Sequence, residues 1–221
     1  MELKKNNLIS KEDGFTLIEV LIVLAITGIV SVAMFSSFQS QQRSYITQEN
    51  VAAMQQNLRA GMDMMVREIR MAGYDPTGKD VAGIESAGSN VLIFSIDGNG
   101  DEDTDDSNEY ITYSLYTSNG IQKMGRKSAI TATANQPVAD NIEALEFFYT
   151  LADSSQTLAP ADLTAIRSVR VTMLARTERK DKNFINTRTY TTPGGQNWGP
   201  YNDNFRRRLL TTSVKCRNIG L

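Results

Sequence analysis

Residues 15–38 carry one charged side chain, Glu19, in an otherwise uncharged and largely apolar run. As an α-helix, residues 16–35 alone would be about 30 Å long at 1.5 Å per residue, enough to cross the hydrocarbon core of a bilayer. Helix-compatible sequence continues past this run, because no proline occurs before Pro76 and glycine is sparse between Phe15 and Gly73. The pattern then changes. Val51, Met54, Leu58, Met62, Met65, Ile69 and Ala72 recur at spacings of three and four, which predicts a single apolar stripe on an otherwise polar helix, to be covered by a sheet. Gly73, followed by Tyr74-Asp75-Pro76, supplies a left-handed cap residue and then a proline that cannot continue the helix, so the helix is predicted to end near Ala72.

Beyond Pro76 the vocabulary becomes short β-like runs separated by Gly, Asn, Asp and Ser: residues 91–96, 110–116, 121–124, 145–151, 169–175 and 209–216. These predict an antiparallel sheet. In the fifth run Val169, Val171, Met173 and Ala175 alternate with Arg170, Thr172, Leu174 and Arg176, so one face is expected to be buried and the other largely wet. The polar stretch 177–206, with Pro193-Gly194-Gly195 and Gly199-Pro200, is expected to be a long surface loop with room for a short hairpin. No internal repeat is visible.

Composition narrows the function. At 221 residues and 41% hydrophobic content the chain can bury one core and carry an appendage. It has no histidine, so the commonest general base and the commonest nitrogen ligand of zinc are missing, and most hydrolase and metalloenzyme readings lose ground. The single cysteine, Cys216, cannot form an intrachain disulfide. Net charge is −2 but uneven: seven acids and no base fall within 97–109, while 163–221 holds 12 Lys+Arg against 3 Asp+Glu. Such polarity favours oriented association with neighbours, although solvated faces give the same counts.

The apolar run opens with Gly14-Phe15-Thr16-Leu17-Ile18-Glu19, and here the sequence resembles the type IV pilin and pseudopilin family. The resemblance implies that a prepilin peptidase cuts after Gly14, that the new N-terminal Phe15 is N-methylated, and that Glu19 guides subunit docking. An ordinary secretory signal is cut after its apolar segment, whereas this cut would precede it and the anchor would be kept. Ser31-Val32-Ala33 leaves a conventional signal-peptide cut open as the competing reading. Glu19 argues against that reading, because a carboxylate in the apolar segment costs about 2.5–3.5 kcal/mol near the bilayer centre and asks for a reason. One reason is pairing with the α-amino group of Phe15 on an adjacent subunit; the plainer one is that Glu19, four residues from the mature terminus, reaches the headgroups. The leader departs from the usual basic pattern, since Glu2, Glu12 and Asp13 balance Lys4, Lys5 and Lys11.

Met54-Gln55-Gln56-Asn57-Leu58-Arg59 and the stretch from Val66 through Gly73-Tyr74-Asp75-Pro76 resemble the helix and helix exit of PilW-type minor pilins, relatives of the J-type pseudopilins of type II secretion. Arg206-Arg207-Arg208-Leu209 through Cys216-Arg217-Asn218 resembles their closing strand, more loosely. The expected fold is α+β and pilin-like, a long N-terminal helix with a membrane-spanning first half, packed on an antiparallel β-sheet. Its parts are a leader 1–14, a transmembrane part 15–38, a soluble helical part 39–73 and a β-rich globular domain 74–221. The implied function is that of a minor pilin in type IV pilus assembly, priming or tip complex. Implied partners are the prepilin peptidase, other minor and major pilins or pseudopilins, the inner-membrane assembly platform and membrane lipid. The implied location is the inner membrane, with the C-terminal domain periplasmic, and then the filament. Alternatives are a J-type pseudopilin, a filament-tip module that binds DNA or surfaces, and a processed periplasmic enzyme.

Three constellations could carry chemistry. Asp97, Asn99, Asp101 and Asp103 place oxygen side chains at alternating positions, as a Ca²⁺ loop does, with Asp105, Asp106 and Glu109 able to complete a shell. The match is incomplete, since an EF-hand wants glycine at Glu102 and glutamate at Asn108, and the alternative is a solvated acidic loop. Arg206, Arg207 and Arg208 beside Tyr201 and Phe205 suit phosphates and stacked bases, but three arginines are too few to decide; an exposed strand edge or a surface that meets an acidic neighbouring subunit explains them as well, and a nucleic-acid partner is disfavoured. Glu143 and Glu146 form no recognisable catalytic set, Cys216 reads as a small core residue, and no enzyme activity or obligatory cofactor is expected.

Overall fold

A computed structural model describes residues 14–220, so the leader expected over 1–14, apart from Gly14, lies outside the described residues. The proline-free segment forms one helix, α1 (Leu17–Met71), ending one residue before the predicted boundary. Gly73 takes φ +76°, the left-handed exit the sequence predicts. Its N–H donates to the Ser95 carbonyl, which ties the helix exit to the sheet.

The chain divides into two units, with the boundary between Ile46 and Thr47. In the first, residues 14–46, an 18-residue window of α1 has mean hydropathy 2.6 and none of it is buried. Leu17, Ile18, Val23, Leu24, Ile29, Val32 and Phe35 are all exposed.

In the second unit, residues 47–220, the stripe on α1 is the core face: Met54, Leu58, Met62, Met65 and Ile69 are buried, and Val51 packs at the edge. Gly61 is buried with them. A methyl group there would come within 2.9 Å of Ala139 Cβ, so the missing side chain lets the helix approach the sheet closely.

The strands form two main sheets and one small ribbon, whereas the sequence pattern predicts a single sheet. The first runs β1 (Ile84–Ala87), β2 (Val91–Ser95), β3 (Tyr110–Ser118), β4 (Ile121–Lys127) and β5 (Gln136–Asp140) in spatial order, all antiparallel. Its two edge strands are the ones that sequence patterning misses. β1 has four residues and β5 contains Pro137, both signs of edges with few ladder bonds to make. The second sheet has the order β11 (Arg207–Lys215), β8 (Ile166–Arg176), β6 (Ile142–Leu151) and β7 (Gln156–Thr157). The ribbon pairs β9 (Tyr190–Thr191) with β10 (Asn197–Trp198).

Leu92, Phe94, Ile111, Tyr113 and Met124 of the first sheet join the α1 stripe and Phe147, Tyr149, Val169, Val171 and Met173 of the second in one buried cluster. Polar bonds pin the helix over the first sheet. Glu68 on α1 accepts the Tyr113 hydroxyl at 2.5 Å and Arg126 Nε at 3.0 Å, and Asn57 Nδ2 donates to the Asp140 carbonyl at 2.7 Å. Cys216 sits in the core, where burial pushes its thiol up to about 11.

One expectation is corrected. Thr172 and Leu174, assigned to the wet face of β8, are fully buried, because segment 177–206 is not a free surface loop. Glu146, cross-strand to Thr172 on that same face, is also fully buried. It accepts the Thr192 hydroxyl at 2.5 Å and the Gly194 N–H at 3.1 Å. A buried carboxylate needs such donors, and supplying them folds the ribbon over the sheet.

Candidate functional site

The segment 14–16 has no regular structure and is exposed, with α1 starting at Leu17. The bond between Gly14 and Phe15 therefore lies outside the helix, in backbone a protease can take in extended form. A Cβ on Gly14 would meet nothing within 4 Å, so nothing in the packing of the described residues requires glycine there.

Glu19 occupies the third helical position after Thr16, and the two side chains make a capping box. Glu19 Oε2 accepts the Thr16 N–H at 2.8 Å and the Thr16 hydroxyl at 2.7 Å, while the Glu19 N–H donates to Thr16 Oγ1 at 3.3 Å. Sequence reasoning overlooked this although the T-x-x-E spacing was legible. Oε1 takes no part in these bonds.

The acidic loop joins β2 to β3. Asp97 is fully buried; its Oδ1 accepts the Gly100 N–H at 2.6 Å and its Oδ2 the Glu102 N–H at 3.3 Å. Asn99 donates through Nδ2 to Asp101 and to Asp106, both at 2.9 Å. The structure brings Asp101 and Asp103 together with Glu109, not with Asp97: carboxylate oxygens of these three lie within 4.8 Å of one another. Asp105 is held above the usual carboxylate range by its hydrogen bond with Asp103 and by the charges of Asp103, Asp106 and Asp101.

The arginine run is committed to internal partners. The Arg207 side chain is 1% exposed, lies 3.8 Å from the Tyr201 ring centre, and meets Glu143 at 3.0 Å and Asp203 at 2.6 and 2.7 Å. Arg206 pairs with Asp181 at 2.8 Å and lies 4.4 Å from the Phe184 ring centre. Arg208 alone of the three is exposed. These contacts close segment 177–206 onto β11 and occupy two of the three charges that a phosphate would need.

Comparison with known proteins turns on the C-terminal half. The model of the type IV pilus-assembly protein W family, PilW, matches residues 105–218, more than half of the chain. The chain belongs to the PilW family. The prokaryotic N-terminal methylation motif matches residues 9–35. The fold of this PilW protein is similar to that of a type IV-like pilin from Thermus thermophilus, with 16% identity and a TM-score of 0.52 over 76% of this chain and all of that one. No curated protein matches the chain in sequence. The PilW match covers the strand-rich middle, where the residues themselves carried no resemblance, while helix residues 54–76 lie outside both matched regions. As a PilW protein with the methylation motif and an apolar N-terminal helix, the chain is a minor pilin of type IV pilus assembly. It is a membrane-anchored subunit that interacts with other pilins and with a prepilin peptidase.

Proposed function

We propose that the prepilin peptidase cuts this minor pilin after Gly14, that Phe15 becomes the N-methylated terminus, and that residues 15–38 stay behind as the inner-membrane anchor with the C-terminal unit in the periplasm. The observation that carries this reading is the exposed, non-helical Gly14-Phe15 bond at the foot of an apolar helix, inside a matched methylation motif. In the bilayer the anchor's apolar surface is satisfied by lipid; in a filament, neighbouring pilin helices take that place. Glu19 then has a second task. Its Oε2 holds the helix N-terminus through Thr16, while Oε1, outside those bonds, accepts the Phe15 amine of an adjacent subunit in the filament, which sets the axial stagger between the two. The role needs shape, anchorage and complementary surfaces, and no catalytic group.

Co-expression with a prepilin peptidase tests the reading by intact mass and terminal sequencing. The expected product begins at N-methylated Phe15, and Gly14→Leu abolishes it while leaving the globular unit folded. A mature chain beginning at Met34 would overturn it in favour of a conventional signal peptide.

A further inference from the structure

The loop between β2 and β3 has a feature that solvated acidic loops lack. Glu109, its last residue, is only 5% exposed. Glu109 Oε1 accepts the Gly98 N–H at 2.8 Å, but Oε2 is buried and has no hydrogen-bond partner among the described residues. Leaving a buried carboxylate oxygen without a donor is costly, and the usual remedies are an ion pair or a metal. No base occurs within 97–109, and the ammonium of Lys79 is engaged by Glu102. What does stand beside Glu109 is more negative charge, the Asp101 and Asp103 carboxylates within 4.8 Å.

We propose that Asp101, Asp103 and Glu109 bind one Ca²⁺. Oxygens that share a Ca²⁺ stand at most about 5 Å apart, twice the usual Ca–O distance, so three carboxylates already within 4.8 Å of one another need only small side-chain shifts to enter one coordination sphere. All the donors are hard oxygens and the set has no nitrogen or sulfur, which selects Ca²⁺ over transition metals. Mg²⁺ fits less well, because it demands a tighter octahedron and gives up its water reluctantly. The open cleft beside the site, about 500 Å³ and lined by Gly98, Asn99, Asp106 and Glu109 among others, admits the water that completes the shell. Asp97 has a different job from the one its spacing implied. It is spent on the Gly100 and Glu102 N–H groups, and so shapes the turn that presents Asp101 and Asp103. The bound ion would fasten the loop tip to Glu109, the residue that leads into β3.

The test is calorimetric titration of CaCl₂ into the full-length chain in detergent after treatment with EDTA, with thermal melts alongside. One Ca²⁺ per chain and a melting temperature several degrees higher are expected, since the ion binds the folded loop, and MgCl₂ at equal concentration should give a much smaller shift. Glu109→Gln should weaken Ca²⁺ binding by about tenfold or more, because charge count tunes such sites, without lowering the melt in EDTA. Should Glu109→Gln fail to fold, the double variant Asp101→Asn with Asp103→Asn, both exposed positions, gives the same readout. Glu102→Gln, whose carboxylate faces Lys79, should bind as the parent does. No saturable heat and no calcium-dependent melt in the parent, or unchanged affinity in the variants, would overturn the proposal.

Discussion

Thr16 and Glu19 hold the start of the apolar helix through three hydrogen bonds of 2.7 to 3.3 Å, so the single charge of the anchor also serves as its own N-terminal cap. A cap and an intersubunit contact make different demands on the carboxylate. Losing a cap costs about 0.5–2 kcal/mol of helix stability, which a long apolar helix in lipid can absorb. Thr16→Ala is therefore expected to be processed and to enter filaments nearly normally. Glu19→Leu should be processed and stable in the membrane, yet fail to restore piliation, and Glu19→Asp, one methylene short, should restore it in part. Equal defects in Thr16→Ala and Glu19→Leu, scored by pilus counts, would reduce Glu19 to its capping role.

Arg207 lies between Glu143 and Asp203 with its guanidinium almost wholly enclosed. Arg207→Ala leaves both carboxylates without their main partner. The expected loss is about 3 kcal/mol, the low end for a broken buried pair because Asp203 stays partly exposed. Arg208→Ala, at an exposed position, should change stability by less than about 0.5 kcal/mol. Chemical denaturation of the two variants side by side provides the comparison, and similar losses would remove Arg207 from the set of groups closing segment 177–206.

Gly61 tests how closely α1 must approach the first sheet. Alanine would gain about 1 kcal/mol of helix propensity, but its Cβ would stand 2.9 Å from Ala139 Cβ and 3.2 Å from Met124 Cε. Overpacking costs about 1–3 kcal/mol, so Gly61→Ala should lower stability on balance. The measurement suits a fragment beginning at Gln41, which lacks the apolar window and should be a soluble monomer with a cooperative melt. A more stable Gly61→Ala fragment would mean that β5, an edge strand, yields without cost.

Asp75, just past the helix exit, gives stability a pH dependence. The Thr77 hydroxyl and the N–H groups of Thr77, Val81 and Gly78 hold its carboxyl down at about 2. A folded value below the unfolded one means that the contribution is present above the unfolded value and is lost as pH falls through the folded one. Asp181 and Asp203, lowered by Arg206 and Arg207, act with the same sign. These three groups should therefore make the melting temperature fall between about pH 4 and 2, less steeply in Asp75→Asn.

The long helix, its exit at Gly73, six of the strands and the processing motif were legible in the sequence because each rests on local order: a period, a cap, an uninterrupted apolar run. Apolar periodicity named the core face of α1 before any partner was known. It did not reveal which strands share a sheet, since that depends on pairings between segments far apart in the chain, such as Ala139 beside Met124 and Val171 beside Phe147. Nor did it reveal edge strands as short as Ile84–Ala87 or interrupted by Pro137, whose few ladder bonds leave no run to recognise. Polar residues were the least legible. Whether Glu146, Asp97, Arg207 and Glu109 face water or the interior depends on what the tertiary fold lays over them, and a carboxylate's role follows from the donors it finds there. Spacing put Asp97 and Asn99 among the first ligands and left Glu109 to complete the shell; the fold instead spent Asp97 on the backbone and brought Glu109, six residues beyond Asp103, beside the Asp101 and Asp103 carboxylates.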